Sequence, residues 1–306
     1  MGLLDRFMKR DGEAANASKL VADTAADIIK EMSGEKLKPK KKLIDNVVGF
    51  VGVSGGVGAS TVVTNVAYML AERGFKVIVM DLNIMYPSQS MAFGINPEIQ
   101  KKDLVTYLLG KNDLGESIEN MGAMSLMYAN NQGITSLLNV EEDAPIENFR
   151  QAIYRLRKLY DVVLLDIPLQ IEHTLSNTAI YSVDRLYMVM DESINSVVNI
   201  EKFRKGAAFT GVDTYSKSSV IMNKRTSVHY TDYIFNKLGL ELVEVLPFEV
   251  DIVECNLKGK IFCRDGASGT DNADLFYKKM GNIVDKLLEK GGYIDGYQQA
   301  GEVTDK

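Results

Sequence analysis

From Asn46 onward, short apolar runs alternate with longer segments in which apolar residues recur every three or four positions. The short runs are rich in Val, Ile, Leu and Met, which is typical of strands buried on both faces. They predict strands at Val47–Val53, Lys76–Met80, Ser125–Ala129, Val162–Leu165, Arg185–Met190, Ser218–Met222 and Leu242–Val245. The longer segments predict helices at Thr61–Arg73, Ile146–Lys158, Asn195–Lys205, Tyr230–Leu238 and Asp274–Lys290.

The alternation of strands with helices predicts how the chain is organised. Consecutive parallel strands need a crossover, which a helix provides, so we expect a mainly parallel twisted sheet with right-handed connections. Helices would then cover both faces of the sheet. The sequence therefore predicts a three-layer α/β domain over residues 46–290, followed by a tail at 291–306.

Residues 1–45 contain no strand-like run and are predicted to form a helical arm that ends in a basic linker. A helix over residues 1–10 would place the apolar residues Leu3, Leu4, Phe7 and Met8 on one face. A second helix is predicted around residues 18–32. The apolar face is typical of a segment that docks on a membrane surface or a partner. A local cap on the domain is an equal alternative. The lysines at 36–42 favour a solvated linker over contact with phosphate or anionic lipid.

The composition narrows the class of protein. Thirty-five Lys and Arg residues against 41 Asp and Glu residues give a net charge of -6 over 306 residues, which disfavours DNA as a partner. No apolar run approaches the length of a membrane span, and the start shows no signal-peptide pattern. The two cysteines, Cys255 and Cys263, are expected to be free thiols. We therefore expect a cytoplasmic protein, or one peripheral at the inner face of the cytoplasmic membrane.

The segment from Val47 to Leu70 carries the most informative motif. An apolar strand is followed by the turn SGGVGAST at residues 54–61, and a helix follows the turn. Three glycines in four positions let backbone N–H groups turn inward, and the helix N-terminus adds a partial positive charge. This context favours an anion-binding loop over a glycine-rich turn without a ligand.

This segment resembles the phosphate loop of the MinD/ParA branch of the P-loop ATPases (SIMIBI class), which has the pattern Lys-Gly-Gly-x-Gly-Lys-Thr-Thr. Further matches follow in the family's order. Asp81 and Asn83 occupy the Asp-x-Asp positions, and Asp166 occupies the Walker B aspartate position. Asn223 lies where the family contacts the adenine edge, and Pro247 begins a segment similar to the family's closing motif.

The resemblance implies ATP and Mg²⁺ as ligands, bound weakly or as a vestige. It implies nucleotide binding by Gly55, Gly56, Val57, Gly58, Ala59, Ser60, Thr61, Asn223 and Pro247. It implies a magnesium site at Ser60, Asp81 and Asp166, although each aspartate is also explained as an ordinary carboxylate at a strand end.

Three positions depart from the family's pattern. Ser54 and Ala59 replace the two loop lysines, and Asn83 replaces the carboxylate that aligns or activates water. A lysine at ~4 Å from one phosphate charge contributes about 4 kcal/mol at an effective dielectric near 20, before desolvation is subtracted. We therefore expect no catalytic residue here and very weak hydrolysis or none.

Degenerate loops of this kind resemble the TadZ/CpaE group of the family, which serves Tad/Flp-type pilus secretion systems. That resemblance implies a localisation or assembly scaffold that forms a homodimer and contacts secretion or pilus proteins. An active ATPase that positions plasmids, chromosomes or the division site is the alternative. A partition factor that binds nucleic acid without catalysis is disfavoured by the acidic charge.

Overall fold

The structure, a computed structural model, describes residues 41–96, 103–129, 139–140, 142–170, 173–209, 211, 213–214, 216–226, 235, 239–266 and 270–295. Contacts divide the chain into a compact unit, Lys41–Ile294, and a second unit of Met1–Lys40 and Asp295–Lys306. The predicted arm helices lie outside the described residues, as does most of the predicted helix at 230–238.

Eight strands form one sheet, namely β2 (Val47–Gly52), β3 (Val77–Asp81), β4 (Glu119–Met121), β5 (Met124–Met127), β6 (Val162–Ile167), β7 (Arg185–Met190), β8 (Ser218–Arg225) and β9 (Glu241–Pro247). They lie in the order β4-β5-β3-β6-β2-β7-β8-β9. Neighbouring strands are parallel except β4, which pairs antiparallel with β5 at the edge. A separate two-stranded sheet pairs β1 (Lys41–Leu43) with β10 (Tyr293–Asp295).

Helices connect the strands and cover the sheet. They are α1 (Ala59–Glu72), α2 (Gln89–Ala92), α3 (Leu104–Leu108), α4 (Asp143–Leu159), α5 (Thr174–Ser182), α6 (Ile194–Phe209), α7 (Asp251–Leu257), α8 (Phe262–Asp265) and α9 (Asp271–Gly291), with a 3₁₀ turn at Gly115–Ser117. Over the part of the chain that is described, no helix has the length and apolar character needed to cross a membrane.

The core consists of two apolar layers, one on each face of the sheet. Successive side chains of a strand point to opposite faces, so Val48 and Phe50 of β2 enter one layer while Val47 and Val51 enter the other. Helices α1 and α9 pack in the first layer, and helices α3 to α6 pack in the second. Because both faces of the central strands are covered, β2, β3, β6 and β7 are mostly apolar along their length, which is the pattern that the sequence shows.

The predicted fold class is confirmed: the sheet is mainly parallel and lies between two layers of helices. The edge strand β4 was not predicted, since its residues, Glu119–Met121, are partly exposed and mostly polar. Helix α7 was also not predicted, because its seven residues give too few turns for a periodic pattern.

Candidate functional site

The carboxyl ends of the central strands meet at one edge of the sheet and surround a cavity of about 760 Å³. In an open α/β sheet, ligands bind at this edge. All the residues assigned to nucleotide binding from the sequence line the cavity, namely Gly55, Gly56, Val57, Gly58, Ala59, Ser60, Thr61, Asn223 and Pro247. Asn83 and Asp166 line it as well, whereas Asp81 is fully buried behind its surface.

The loop between β2 and α1 has the backbone shape that its glycines predict. Gly56 and Gly58 have φ angles of 74° and 88°, a region that residues with a side chain rarely adopt. A Cβ atom at Gly58 would also lie 2.5 Å from Nδ2 of Asn223. Helix α1 begins directly afterwards at Ala59, so the first N–H groups of the helix have no partner within it. The loop can therefore present several backbone donors to an anion.

The end of β8 holds this loop from the side. The Nδ2 atom of Asn223 donates a hydrogen bond to the Val57 carbonyl oxygen at 2.9 Å. The Nζ atom of Lys224 donates to the Gly56 carbonyl oxygen at 2.6 Å. The sequence placed Asn223 at this site, but it did not indicate Lys224, because the contact joins segments that are distant along the chain.

Ser54, which stands at the position of the family's first loop lysine, has polar and uncharged neighbours. Its Oγ atom accepts a hydrogen bond from Nδ2 of Asn199 at 3.0 Å and lies 3.2 Å from Oγ of Ser196. The hydroxyl of Ser196 donates in turn to Asp191 at 2.6 Å. This network fixes the start of the loop against the beginning of α6, and the hydroxyl of Ser54 adds no charge to the cavity.

Asp81 and Asp166 lie side by side on β3 and β6, where they are register partners. Both are buried, with exposed fractions of 0% and 4%. Asp81 accepts backbone N–H groups from Asn83 at 3.0 Å, Ser88 at 2.9 Å and Gln89 at 3.0 Å. Its carboxylate therefore fixes the segment that follows β3 and does not reach the cavity surface.

Gln89 links the carboxylate pair to the loop, and sequence analysis missed it. Its Nε2 atom donates to Oδ2 of Asp166 at 2.7 Å and to the Ser60 carbonyl oxygen at 3.0 Å. Its Oε1 atom accepts from the hydroxyl of Thr64 at 2.8 Å. The side-chain amide thus supplies a neutral donor to a buried carboxylate beside the start of α1.

The environment of the pair disfavours two negative charges. Burial, followed by the charge of Asp166, raises the pKa of Asp81 to about 7, although three backbone N–H groups oppose the shift. Burial also raises the pKa of Asp166, against the hydrogen bonds from the side chains of Gln89 and Ser60. A cation near Asp166 would stabilise the ionised form of its carboxyl group and lower its pKa.

The donors around Asp166 fit a magnesium ion. Ser60 lies beside Asp166 on the cavity wall, and the buried Oγ atom of Ser88, which also lines the cavity, has no hydrogen-bond partner in the described structure. Within that part of the chain, no three His, Cys, Asp or Glu residues converge as metal ligands. Magnesium commonly uses one or two carboxylates together with phosphate oxygens and waters, so such an ion would depend on a bound phosphate.

Replacing Asp166 by Asn is expected to stabilise the metal-free protein at pH 7.5 and to have less effect at pH 5. Because the folded-state pKa values are raised, the stability linked to protonation is complete below the unfolded value near 4. It is lost as the pH rises towards about 7, the value for Asp81. The variant removes one charge of the pair, so we expect a gain on the order of 1–2 kcal/mol at pH 7.5.

Denaturant unfolding at both pH values, with EDTA present, measures this difference. The exposed Glu201, changed to Gln, is the control for the loss of one surface charge. If the free energy of unfolding changes equally with pH in the Asp166 variant and in the parent protein, ionisation of the pair does not destabilise the fold.

Comparison with known proteins identifies the family. The sequence profile of a family described as an AAA domain matches residues 45–208, which is more than half of the chain. The chain belongs to the AAA domain family. An uncharacterized ATP-binding protein of Methanocaldococcus jannaschii is 25% identical to this member over 67% of this chain and 74% of its own length.

Two solved structures share the fold of this AAA domain protein. The septum site-determining protein MinD of Pyrococcus horikoshii, complexed with Mg-ADP, is 20% identical with a TM-score of 0.66, covering 81% of this chain and 98% of its own. A ParA family ATPase of Chlorobium tepidum is 21% identical with a TM-score of 0.66, covering 80% and 98% of the two chains. The AAA domain protein therefore has the MinD/ParA type of P-loop fold.

Proposed function

We propose that this protein binds an adenine nucleotide with Mg²⁺ in the cavity, hydrolyses it very slowly or not at all, and acts as a localisation or assembly scaffold. One observation carries the proposal. The loop keeps its anion-binding backbone shape, while the positions of the charged catalytic groups hold Ser54, Ala59 and Asn83.

The nucleotide's phosphates would be held by backbone atoms. The N–H groups from Gly55 to Thr61, together with the N-terminus of α1, form an anion site that needs no lysine to exist. The base would lie against Pro247, Phe248 and Val253, which line the cavity and provide an apolar surface. Aromatic and aliphatic side chains of this kind suit a purine ring.

Magnesium, when bound, would neutralise phosphate charge. The hydroxyl of Ser60 is the best direct ligand, while Asp166 and Ser88 would orient the waters around the ion. Asp81 would act by positioning, since its oxygens already accept three backbone N–H groups of the segment that carries Ser88. This arrangement is consistent with the M. jannaschii relative, which is named ATP-binding, and with the P. horikoshii structure, which holds Mg-ADP.

Weak hydrolysis follows from the residues at two of the departing positions, Asn83 and Ser54. The amide of Asn83 cannot take a proton from water, and its Oδ1 atom already accepts the backbone N–H of Tyr86 at 3.3 Å. Ser54 is uncharged, and its hydroxyl oxygen already accepts a hydrogen bond from Asn199. Transition-state charge on the phosphate would therefore meet few cationic groups.

A homodimer is supported by exposed apolar side chains at the mouth of the cavity. Tyr86, Phe248 and Val253 line the cavity and are 73%, 40% and 52% exposed. Covering them with a second copy would remove apolar surface from water and close the site. As a scaffold, the protein would bind proteins of a Tad/Flp-type pilus system. It would contact the membrane surface through residues 1–10.

Phosphate release with Mg-ATP is expected to stay at background while calorimetry detects nucleotide binding by the same preparation. The reason is that the loop can bind phosphate but lacks the groups that stabilise the transition state. The Asp166→Ala variant serves as the control for contaminating ATPases. Steady turnover that disappears in that variant would favour the alternative, an active positioning ATPase. Absence of binding would refute the nucleotide site.

A further inference from the structure

Lys224 has an unusual backbone conformation at the edge of the cavity. Its φ angle of 57° is the only positive value among the described residues other than glycine. This left-handed conformation is unfavourable for a residue with a long side chain. Such strain persists where the surroundings impose it, and it is concentrated at functional sites. Here it occurs next to Asn223, where β8 meets the loop.

The side chain of Lys224 lies against the glycine loop. Its Nζ atom is 2.6 Å from the Gly56 carbonyl oxygen, and its Cε atom is 3.8 Å from the position that a Cβ atom would take at Gly58. These contacts place an ammonium group beside the N–H groups that would hold phosphate. The neighbouring Arg225, in contrast, has a carboxylate close to it: its Nε atom lies 3.9 Å from Oε1 of Glu192.

The charge of Lys224 is available to a ligand. Its partner is a neutral carbonyl oxygen, and none of the ion pairs among the described residues includes it. It is also the one cationic side chain among the described residues that line the cavity, whose other charged members are Asp166 and Glu249. Without Lys224 the cavity wall would carry negative side chains alone.

We propose that Lys224 supplies, from β8, the positive charge for nucleotide phosphate that Ser54 and Ala59 do not supply from the loop. This proposal rests on the nucleotide site proposed above and assigns its phosphate affinity to a residue outside the loop. The ligand class is a nucleoside di- or triphosphate. The interaction requires charge close to the loop and does not require contact with the base.

Changing Lys224 to Met should weaken binding of Mg-ADP and of inorganic tripolyphosphate at least fivefold, as measured by calorimetry on the full chain. The dependence of ADP affinity on NaCl should become shallower, because one attractive charge is lost. Lys224→Arg keeps the charge and should stay within threefold of the parent protein. Lys224→Asn is the second neutral variant, since Asn tolerates a positive φ. Lys202→Met, on the exposed face of α6, is the matched control.

Different results separate this inference from the proposed function. If the parent protein binds ADP and Lys224→Met binds it equally well, the phosphate role of Lys224 is refuted and the nucleotide site stands. If the variant loses ADP affinity but keeps tripolyphosphate affinity, the lysine acts on the nucleoside and the inference is again refuted. If the parent protein binds neither probe, both proposals fail.

Discussion

Replacing Ala59 by lysine is expected to strengthen binding of Mg-ATP at least tenfold. Ala59 is the first residue of α1 and lines the cavity beside the glycine turn, so a side chain there begins where phosphate would lie. A new contact between lysine and phosphate is worth more than about 1.4 kcal/mol after solvent screening, which corresponds to a factor of ten. Turnover should remain low, because Ser54 and Asn83 are unchanged.

Calorimetric titration with ATP and Mg²⁺ compares this variant with the parent protein. Gln151→Lys adds the same charge on the exposed face of α4, so it measures any effect of net charge alone. If Ala59→Lys binds no better than Gln151→Lys, the loop does not have a phosphate-binding shape and the proposed site is wrong.

Replacing Gly58 by Ala is expected to abolish nucleotide binding and to destabilise the fold. The added Cβ atom would lie 2.5 Å from Nδ2 of Asn223, and the φ angle of 88° is unfavourable for any side chain. Relief of the clash requires Asn223 to move, which breaks its hydrogen bond to Val57. The conformational cost alone is about 1–2 kcal/mol, and the lost hydrogen bond adds about 1 kcal/mol.

Gly55 provides the matched control for this substitution. A Cβ atom at Gly55 meets no atom within 4 Å, and its φ angle is not in the positive region. We expect Gly55→Ala to change the free energy of unfolding by less than ~0.5 kcal/mol and to retain ADP binding. Denaturant unfolding and ADP titration of both variants test the difference. Retention of ADP binding by Gly58→Ala would show that the loop does not need its present shape.

Much of the fold was predictable because the sheet is buried on both faces. Strands such as β2 and β6 are apolar at nearly every position, so composition alone marks them. The glycine loop was predictable as well, since Gly56 and Gly58 adopt φ angles that few other residues accept. The replacements at Ser54 and Ala59 are likewise visible in the sequence, because a missing lysine needs no structure to recognise.

The exposed and short elements were not predictable in this way. Strand β4 lies at the sheet edge, and its own residues are partly exposed and mostly polar. Helix α7 is too short to show a helical period. The position of α7 depends on packing against a neighbour that is distant along the chain, as the close approach of Gly94 to Gly259 shows. Local sequence carries little information about such contacts.

The sequence by itself determined the sheet, the glycine loop and the absence of lysine from that loop, because each depends on the conformational or chemical limits of single residues. Only the tertiary structure decided which other groups reach the cavity. Gln89 meets Asp166 across 77 positions of the chain, and Lys224 meets Gly56 across 168. Glutamine and lysine are common surface residues whose roles are fixed by their neighbours, and those neighbours are set by the order of the parallel strands in the sheet.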